Sequence, residues 1–524
     1  MEYSNLYFLF ILLPLTMLVY FLMPSMHWKN IALLGISMLF YAMGQPLYLI
    51  FMIGISYLNY VLSLRIRAGN KWSIALPVAI DLLALGIFKY LDFFLSMIGI
   101  VVEHGVLMSF YRSVIDVLNS IGFSMEYPTT VLPIGISFYI FSMISYLADV
   151  YMGKVKIEKN FHSVLLCWLM YPQLLMGPIV RYEQVQVELH TRKMHPRMIF
   201  GGIQRFTVGL AEKVLIADYC GQIIGRLADL GCDTALVGAW LSAIMFTFQL
   251  YFDFCGYSNM AIGLGMVFGF KYCENFDLPY TSKSITEFWR RWHMSLGTFF
   301  RDYVYIPLGG NRKGKTRQIF NMLVVWALTG LWHGASWNFV LWGVYNFILL
   351  SIEKQIMPQL EELPGRLRNF LTMLVVLFGW VLFSHTDFVE LAIAIKAMLG
   401  FSGFSAAGTG TLLMNALPLI VVCLIGCSGL PRMVSQMFIG MCGMYGKRRK
   451  SNAIDLRKIV YVAVCFGFIC CSSGCALFPW SVPPVHLLSM LISEKGATDE
   501  ANLFRSLRLY AAVCADGGSD LYLR

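Results

Sequence analysis

Charged residues are scarce in this chain. Only 13% of its 524 residues are Asp, Glu, Lys or Arg, and 58% are hydrophobic, whereas roughly a quarter of the residues in an ordinary soluble domain are charged. Such a chain has too little polar surface to cover itself in water. We also find no polar insert of domain size, no internal repeat and no low-complexity tract. These absences exclude a soluble protein and indicate one polytopic helical membrane domain.

Cysteine pairs with the spacing of a metal site are absent as well. The 13 cysteines are scattered, and the group formed by Cys470, Cys471 and Cys475 lies in an apolar run without a second pair. We therefore interpret the cysteines as small packing residues. The sequence predicts no bound metal.

Long apolar runs are what the sequence has in abundance. Eight stretches approach the roughly 20 residues that cross a bilayer, and they are 6–23, 31–53, 72–100, 132–150, 319–350, 367–383, 411–425 and 459–477. The first has no preceding Lys or Arg and no cleavage site, so we interpret it as a retained span rather than a signal peptide. The expected fold is all-α, with one membrane domain over 1–480 and a polar, divergent tail over 481–524.

The net charge of +10 is concentrated in short loops. Basic residues cluster at 65–71, after a third span if 31–64 is divided in two, and again at 154–159 and 447–450. The positive-inside rule makes these loops cytoplasmic and places the N-terminus and residues 103–130 outside. A basic cytoplasmic face suits anionic membrane lipid, so the charge does not imply nucleic-acid binding.

One polar stretch predicts a helix that is too charged to span. Ser284 and Glu287 have capping-box spacing, and Pro307 marks the end of a helix of about 22 residues. Its charges favour a position at the interface or under the bundle. The charged residues are Glu287, Arg290, Arg291, Arg301 and Asp302. Helical spacing places His293 in an inward stripe with Trp289, Leu296, Phe300 and Tyr303.

A second histidine lies in the sequence TGLWHGASWNF, residues 329–339. The surrounding apolar run is too long for one untilted span, and small residues weaken its middle, so we predict a break near Gly334. Backbone at such a break requires protein or a water-filled cavity. We expect His333 to point into a wet cavity, where an ionisable group is a functional candidate. A structural hydrogen bond to a neighbouring helix is the alternative, and a metal pair lacks a carboxylate.

Five stretches together resemble the membrane-bound O-acyltransferase family, and in particular its bacterial alginate O-acetyltransferase branch. They are LPIGISFYIFSMISYLADVY (132–151), YPQLLMGPIVRY (171–182), FDFCGYSNMAIGLGMVFGF (252–270), SITEFWRRWHMSLGTFFRDYVYIPLGGNRKG (284–314) and LTGLWHGASWNFVLWG (328–343). The resemblance covers residues 6–399. FWRRWHMSL and FRDYV are also similar to the teichoic acid D-alanyl transferase branch, whereas YIPLGGNR looks more like the alginate branch.

The resemblance implies a bundle of about eleven or more helices, some re-entrant or interfacial, around a central funnel. It also implies a thioester donor, acyl-CoA or an acyl carrier, arriving from the cytoplasm, with no bound cofactor. The acceptor hydroxyl would arrive from the opposite face or through a relay protein. Carried over to this chain, His333 is the catalytic histidine and His293 is a second functional position.

Imidazole suits general-base chemistry near neutral pH. We hypothesise that His333 deprotonates the acceptor hydroxyl, and that His293 or backbone N–H groups near Gly334 stabilise the oxyanion. An acyl-histidine intermediate is an alternative, whereas no nucleophile elbow supports a serine acyl-enzyme. Trp332 is a further substrate-binding candidate. Arg290, Arg291 and Arg301 are candidates for binding donor phosphates or, alternatively, lipid headgroups. Asp253, Asp302 and Asn311 are candidates for orienting the histidines or pairing with these arginines. Lys89 and Asp149 are assigned to structural pairing.

The predicted function is transfer of an acyl group, most directly acetyl, across a bacterial cytoplasmic membrane to a cell-surface or secreted polysaccharide. The small outer segment suggests a separate extracytoplasmic or membrane-anchored acetyltransferase as partner. D-alanyl transfer to teichoic acid is the alternative within the same fold. A lipid-linked glycan transporter is the non-enzymatic alternative. Transporters often show similarly interrupted helices in two halves. The unusual residues here form one block over 132–343, which argues against a transporter.

Overall fold

A computed structural model describes residues 3–100, 105–122, 132–174 and 176–430 of the chain. Every regular element among them is helical, and they contain no strand, which confirms the all-α prediction. The predicted basic loop at 447–450, the last predicted span at 459–477 and the boundary at residue 480 lie outside the described residues.

The N-terminal part divides as the sequence predicts. The run 31–64 forms two helices, because the chain turns after Met43 and restarts at Pro46, where proline is well tolerated in the first turn. A π-helical turn, Phe8–Leu12, precedes the first α-helix. The helices are α1 (Leu13–Leu22), α2 (Met26–Ala42), α3 (Pro46–Ser63), α4 (Lys71–Met97), α5 (Val106–Ser120) and α6 (Ile136–Tyr151).

The middle part contains a long helix that the apolar runs did not reveal. Its elements are α7 (Phe161–Leu169), α8 (Tyr171–Leu174), α9 (Tyr182–His190), α10 (Pro196–Ala211), α11 (Asp218–Asp229) and α12 (Leu236–Val267). Gln249, Asp253 and Asn259 interrupt the apolar pattern of α12, which is nevertheless long and apolar enough to cross a membrane.

Glycines let α10 and α12 approach until their backbones touch. A Cβ atom added to Gly202 would lie 2.5 Å from the carbonyl oxygen of Gly263, and one added to Gly209 would lie 2.5 Å from that of Gly256. Small residues at such contacts replace side-chain packing by close backbone approach, as is common between membrane helices.

The C-terminal part of the described chain carries the two histidines. Its helices are α13 (Ile285–Arg291), α14 (Met294–Phe300), α15 (Lys315–His333), α16 (Trp337–Glu362), α17 (Gly365–Ser384), α18 (Phe388–Met398) and α19 (Thr409–Cys427). The predicted break is confirmed, because α15 ends at His333 and α16 begins three residues after Gly334.

Helices α15 and α16 form an antiparallel hairpin with His333 at its apex. A Cβ atom on Gly330 would lie 2.4 Å from the carbonyl oxygen of Phe339, and one on Gly343 would lie 2.5 Å from that of Trp326. The two helices therefore touch through backbone on both sides of the break. The small residues that weaken the apolar run also permit this contact.

By length and composition, five helices among the described residues could cross a membrane: α3, α4, α12, α17 and α19. Two further helical segments are apolar but shorter: Phe8–Leu22, which joins the π-helical turn to α1, and α6. These helices support a multi-pass membrane protein. The larger bundle and its central funnel remain predictions.

Candidate functional site

The chain breaks at His293, so the prediction of one helix of about 22 residues from Ser284 to Pro307 is wrong. Helix α13 ends at Arg291, Trp292 is extended, and His293 has left-handed backbone angles, φ 46° and ψ 53°. The cause is a tertiary contact. The carbonyl of Asn275 accepts a hydrogen bond from the N–H of Met294 at 2.9 Å, and the N–H of Asp277 donates to the carbonyl of Arg291 at 3.0 Å.

The predicted start of this segment is confirmed. The Ser284 hydroxyl accepts a hydrogen bond from the N–H of Glu287 at 3.0 Å, as an N-cap does. The second half of the capping box differs, because the Glu287 carboxylate accepts from the N–H of Lys283, one residue before the cap.

His293 is buried, with 3% of its surface exposed. Its Nδ1 lies 3.0 Å from Oδ1 of Asn275, which also accepts hydrogen bonds from the N–H and the hydroxyl of Ser295. A backbone N–H can only donate, so the Ser295 contact assigns this Asn275 atom as oxygen. The neutral imidazole must therefore carry its proton on Nδ1.

The other ring nitrogen of His293 is consequently an unprotonated acceptor. Nε2 is buried and has no hydrogen-bond partner in the described part of the chain. Burial lowers the pKa of His293 to about 3, which keeps the ring neutral near pH 7. The inward position predicted for His293 is thus confirmed, although the helix that was to place it there is interrupted.

His333 is half-buried at the apex of the hairpin and packs against aromatic rings. Its ring centroid lies 5.0 Å from that of Trp342 and 5.1 Å from that of Phe383, both in edge-to-face geometry. Within the described residues neither ring nitrogen has a hydrogen bond to protein. The water-filled cavity expected around His333 remains a prediction.

Trp332 brings the two histidines together. Its ring centroid lies 5.6 Å from that of His293 and 4.9 Å from that of His333. The indole is 9% exposed, and its N–H has no hydrogen-bond partner among the described residues. Two imidazoles from segments that are distant in sequence therefore contact one aromatic ring, and they form the candidate site.

Helix α4 holds the end of α15 beside this site. The Lys89 ammonium donates to the carbonyl of Trp332, and the Tyr90 hydroxyl donates to the carbonyl of Leu331. The last carbonyls of a helix need such partners. The structural role predicted for Lys89 therefore takes the form of a helix cap. Asp149 has the predicted structural pairing, with Lys154 at 3.4 Å and the Tyr303 hydroxyl at 2.8 Å.

Glu353 joins the segment of His293 to the hairpin of His333. This carboxylate lies on α16, is 4% exposed and accepts hydrogen bonds from the N–H groups of Ile285 and Thr286 and from the Thr286 hydroxyl. It therefore satisfies the first free N–H groups of α13, where negative charge is favoured. The sequence analysis missed Glu353. Its position as the first acid after the apolar run 319–350 is the signal that could have revealed it.

Replacing Glu353 by alanine is expected to lower the free energy of unfolding by about 3 kcal/mol, because three donors lose a buried, charged acceptor. Thermal unfolding in detergent measures the effect. Glu353→Gln keeps one carbonyl oxygen, so its free energy of unfolding should lie between those of the unchanged protein and Glu353→Ala. Glu362→Ala, at the exposed end of the same helix, is the control, and equal stabilities of the two alanine variants would contradict the assigned contact.

The predicted arginines lie on the α13–α14 segment outside the histidine cluster. Arg290 is exposed, whereas Arg291 pairs with Glu287 at 2.7 Å. Arg301 donates to Asp302 at 2.8 Å, and Arg181 donates to the other Asp302 oxygen at 2.8 Å. Burial alone would raise the pKa of Asp302, but the hydrogen bonds from these two arginines hold it below its ordinary value.

The predicted orienting residues do not orient the histidines. Asp302 takes the alternative role of pairing with an arginine, Asp253 pairs with Lys213 at 2.8 Å, and Asn311 is exposed. Asn275 holds His293 instead. The described residues contain no group of three or more His, Cys, Asp or Glu side chains placed to hold a metal ion. The site therefore offers two imidazoles in an aromatic setting.

Comparison with known proteins places these features in a family. The model of the membrane-bound O-acyltransferase family matches residues 160–391, which include both histidines. The chain is 39% identical over 394 residues to the probable alginate O-acetylase AlgI of Azotobacter vinelandii, covering 73% of this chain and 75% of the relative. It is 38% identical over 411 residues to the corresponding protein of Pseudomonas aeruginosa, covering 76% and 75%.

The name of a third relative specifies a different substrate. The chain is 31% identical over 443 residues to the peptidoglycan O-acetyltransferase of Helicobacter pylori, covering 76% of this chain and 80% of the relative. This similarity extends along most of both chains. It supports an enzyme and argues against the transporter alternative. The chain therefore belongs to the membrane-bound O-acyltransferase family and is a multi-pass membrane O-acyltransferase.

Proposed function

We propose that this enzyme transfers an acetyl group from a cytoplasmic thioester, acetyl-CoA or an acetylated carrier, to a hydroxyl for O-acetylation of a cell-surface or secreted polysaccharide. The supporting observation is the pair of imidazoles that flank Trp332. The named activities of the alginate and peptidoglycan relatives favour acetyl as the acyl group and a glycan as the final acceptor. The bacterial cytoplasmic membrane is the proposed location.

In the proposed reaction His333 is the general base. It removes the proton of the acceptor hydroxyl while the oxygen attacks the thioester carbonyl carbon, which gives a tetrahedral oxyanion. Collapse of the oxyanion breaks the carbon–sulfur bond, and the departing thiolate receives the proton from the imidazolium. The products are an oxygen ester and a free thiol.

The tautomer of His293 revises the hypothesis about the oxyanion. With its proton on Nδ1 and bound to Asn275, the ring cannot donate from Nε2 to a developing negative charge. The N-terminus of α16 fits that task better, because it directly follows the break and the Ser336 side chain does not cap it. Its free N–H groups and helix dipole favour negative charge. We propose that His293 accepts a hydrogen bond and orients a reactant.

The remaining proposed parts concern the two faces of the membrane. Arg290 and Arg301 are exposed and could receive the phosphates of coenzyme A or of a phosphopantetheine arm. A separate membrane-anchored or extracytoplasmic acetyltransferase would complete transfer to the polymer. Of the predicted outer segment, the described part is the short helix α5 and its flanks, which offers little surface for gripping a long glycan.

Deleting the gene is expected to remove alkali-labile acetate from a cell-surface or secreted glycan, because no other step would deliver the acetyl group across the membrane. Mass analysis of mild-base hydrolysates measures the loss, and a plasmid copy should restore it while a His333→Ala copy should not. Deletion of the partner transferase should produce the same loss. If D-alanine disappears and acetate is unchanged, the enzyme belongs functionally with the teichoic acid branch.

A further inference from the structure

A large groove lies between α12, α17 and α19, away from the histidines. Its volume is about 960 Å³, at the upper end of the range for small-molecule sites. Neither His293 nor His333 lines it. Its apolar walls include Ile244, Phe248, Leu374, Leu377, Ile420 and Leu424.

One end of this groove is positively charged. Lys283 and Arg366 line it, and the Lys283 ammonium lies 3.4 Å from the position that a Cβ atom of Gly365 would take. Gly365 is the first residue of α17, whose N-cap, Pro364, has no side-chain hydrogen bond to the first turn. Two cationic side chains and the positive end of a long helix therefore meet at one place.

Among the described residues, no acidic side chain lines the groove and neutralises this end. The nearest acids along the chain before α17 are Glu361 and Glu362, and neither is among the groove-lining residues. Glu287 accepts a hydrogen bond from the backbone N–H of Lys283, but its carboxylate forms an ion pair with Arg291. The charge at this end of the groove is therefore positive.

The groove has the dimensions of half a bilayer. Along α17 its lining runs from Gly365 to Leu377, a rise of about 18 Å, and the hydrocarbon core of one leaflet is about 15 Å thick. Cys427 and Ser428 at the end of α19 also line the groove. The positive-inside rule places its cationic end on the cytoplasmic side. The groove thus runs from headgroup level toward the bilayer centre.

We propose that this groove binds an anionic phospholipid of the cytoplasmic leaflet. The phosphate would lie against Lys283, Arg366 and the first N–H groups of α17, and one acyl chain would occupy the apolar walls. Charge complementarity selects this occupant, because the cytoplasmic leaflet is the negatively charged surface and basic residues near it bind anionic headgroups. The site is independent of the acyl-transfer reaction.

The test uses the full-length protein in nanodiscs that contain equal amounts of phosphatidylglycerol and phosphatidylcholine. Native mass spectrometry after extraction measures which lipid stays bound. The unchanged protein should retain phosphatidylglycerol preferentially, and Lys283→Gln/Arg366→Gln should reduce that preference about thirtyfold, since two basic contacts are lost. Arg312→Gln/Lys315→Gln removes the same charges at exposed positions outside the groove and should leave the preference unchanged.

A third variant tests the apolar walls. Leu424→Trp adds bulk at an exposed wall position and should reduce retention of both lipids. Equal preference in the two double variants would overturn the phosphate contact. Full retention of lipid in Leu424→Trp would overturn the lipid site. The same conclusion would follow if the unchanged protein held no lipid because another part of the chain covers the groove. Displacement of the lipid by inorganic phosphate alone would show that the acyl chain contributes nothing.

Discussion

His333→Ala should abolish acyl transfer while the protein remains in the membrane at close to its normal abundance. A general base contributes about 10²–10⁴-fold to the rate, so the variant should retain less than about a few per cent of activity. The ring contacts of His333 with Trp342 and Phe383 are edge contacts at the apex of a hairpin that backbone contacts already hold together. Loss of the ring is therefore expected to affect chemistry more than folding.

The measurement is transfer of radiolabelled acetyl from the thioester to a hydroxyl acceptor, alongside quantitative immunoblotting of membranes. His27→Ala is the matched control, because His27 is exposed and its described ring contact is with the adjacent Trp28. The control should retain full activity. More than a few per cent of activity in His333→Ala at equal abundance would show that another group removes the proton.

His293→Ala should lower turnover about a hundredfold, because it removes the buried acceptor nitrogen beside Trp332. Full activity in this variant would show that His293 has only a structural role. The orientation of the ring can be tested separately through Asn275. Asn275→Asp keeps an oxygen near Nδ1 but adds a negative charge, which favours the imidazolium and raises the pKa of His293.

The Asn275→Asp variant should therefore change the pH profile rather than only the rate. In the unchanged protein His293 has a pKa of about 3 and stays neutral at pH 7. In the variant, protonation of Nε2 on acidification would remove the acceptor, so the acidic limb of the turnover profile should move to higher pH. Activity should recover as the pH rises. Asn275→Ala lacks the added charge and serves as the control, and identical profiles for the two variants would contradict the proposed contact.

Some of this site follows from local sequence. The length of the run 319–350 and its central small residues predict the break at Gly334, because a helix of that length exceeds the bilayer and these residues stabilise it poorly. Ser284 likewise marks the start of α13, since N-capping depends on neighbours in the chain. Both features arise within a few residues of the positions that reveal them.

Other parts depend on contacts between distant residues. Nothing local ends α13 at Arg291, and the break appears because Asn275 captures the backbone of Met294. The roles of Asn275 and Glu353 are equally non-local, since each side chain binds a segment far from it in sequence. The resemblance to a family indicated which histidines to examine, whereas their common contact with Trp332 required the fold.

Glu353 also determines how the site can move. Its hydrogen bonds tie α13 to α16, and α16 touches α15 through backbone, so the element that precedes His293 and the helix that carries His333 are linked through α16. Helix α4 is bound to the end of α15 by hydrogen bonds from the side chains of Lys89 and Tyr90. Breathing motions that admit a substrate are therefore expected between α4 and the hairpin. Such motions would move α4 relative to the hairpin and leave the spacing of the two histidines unchanged.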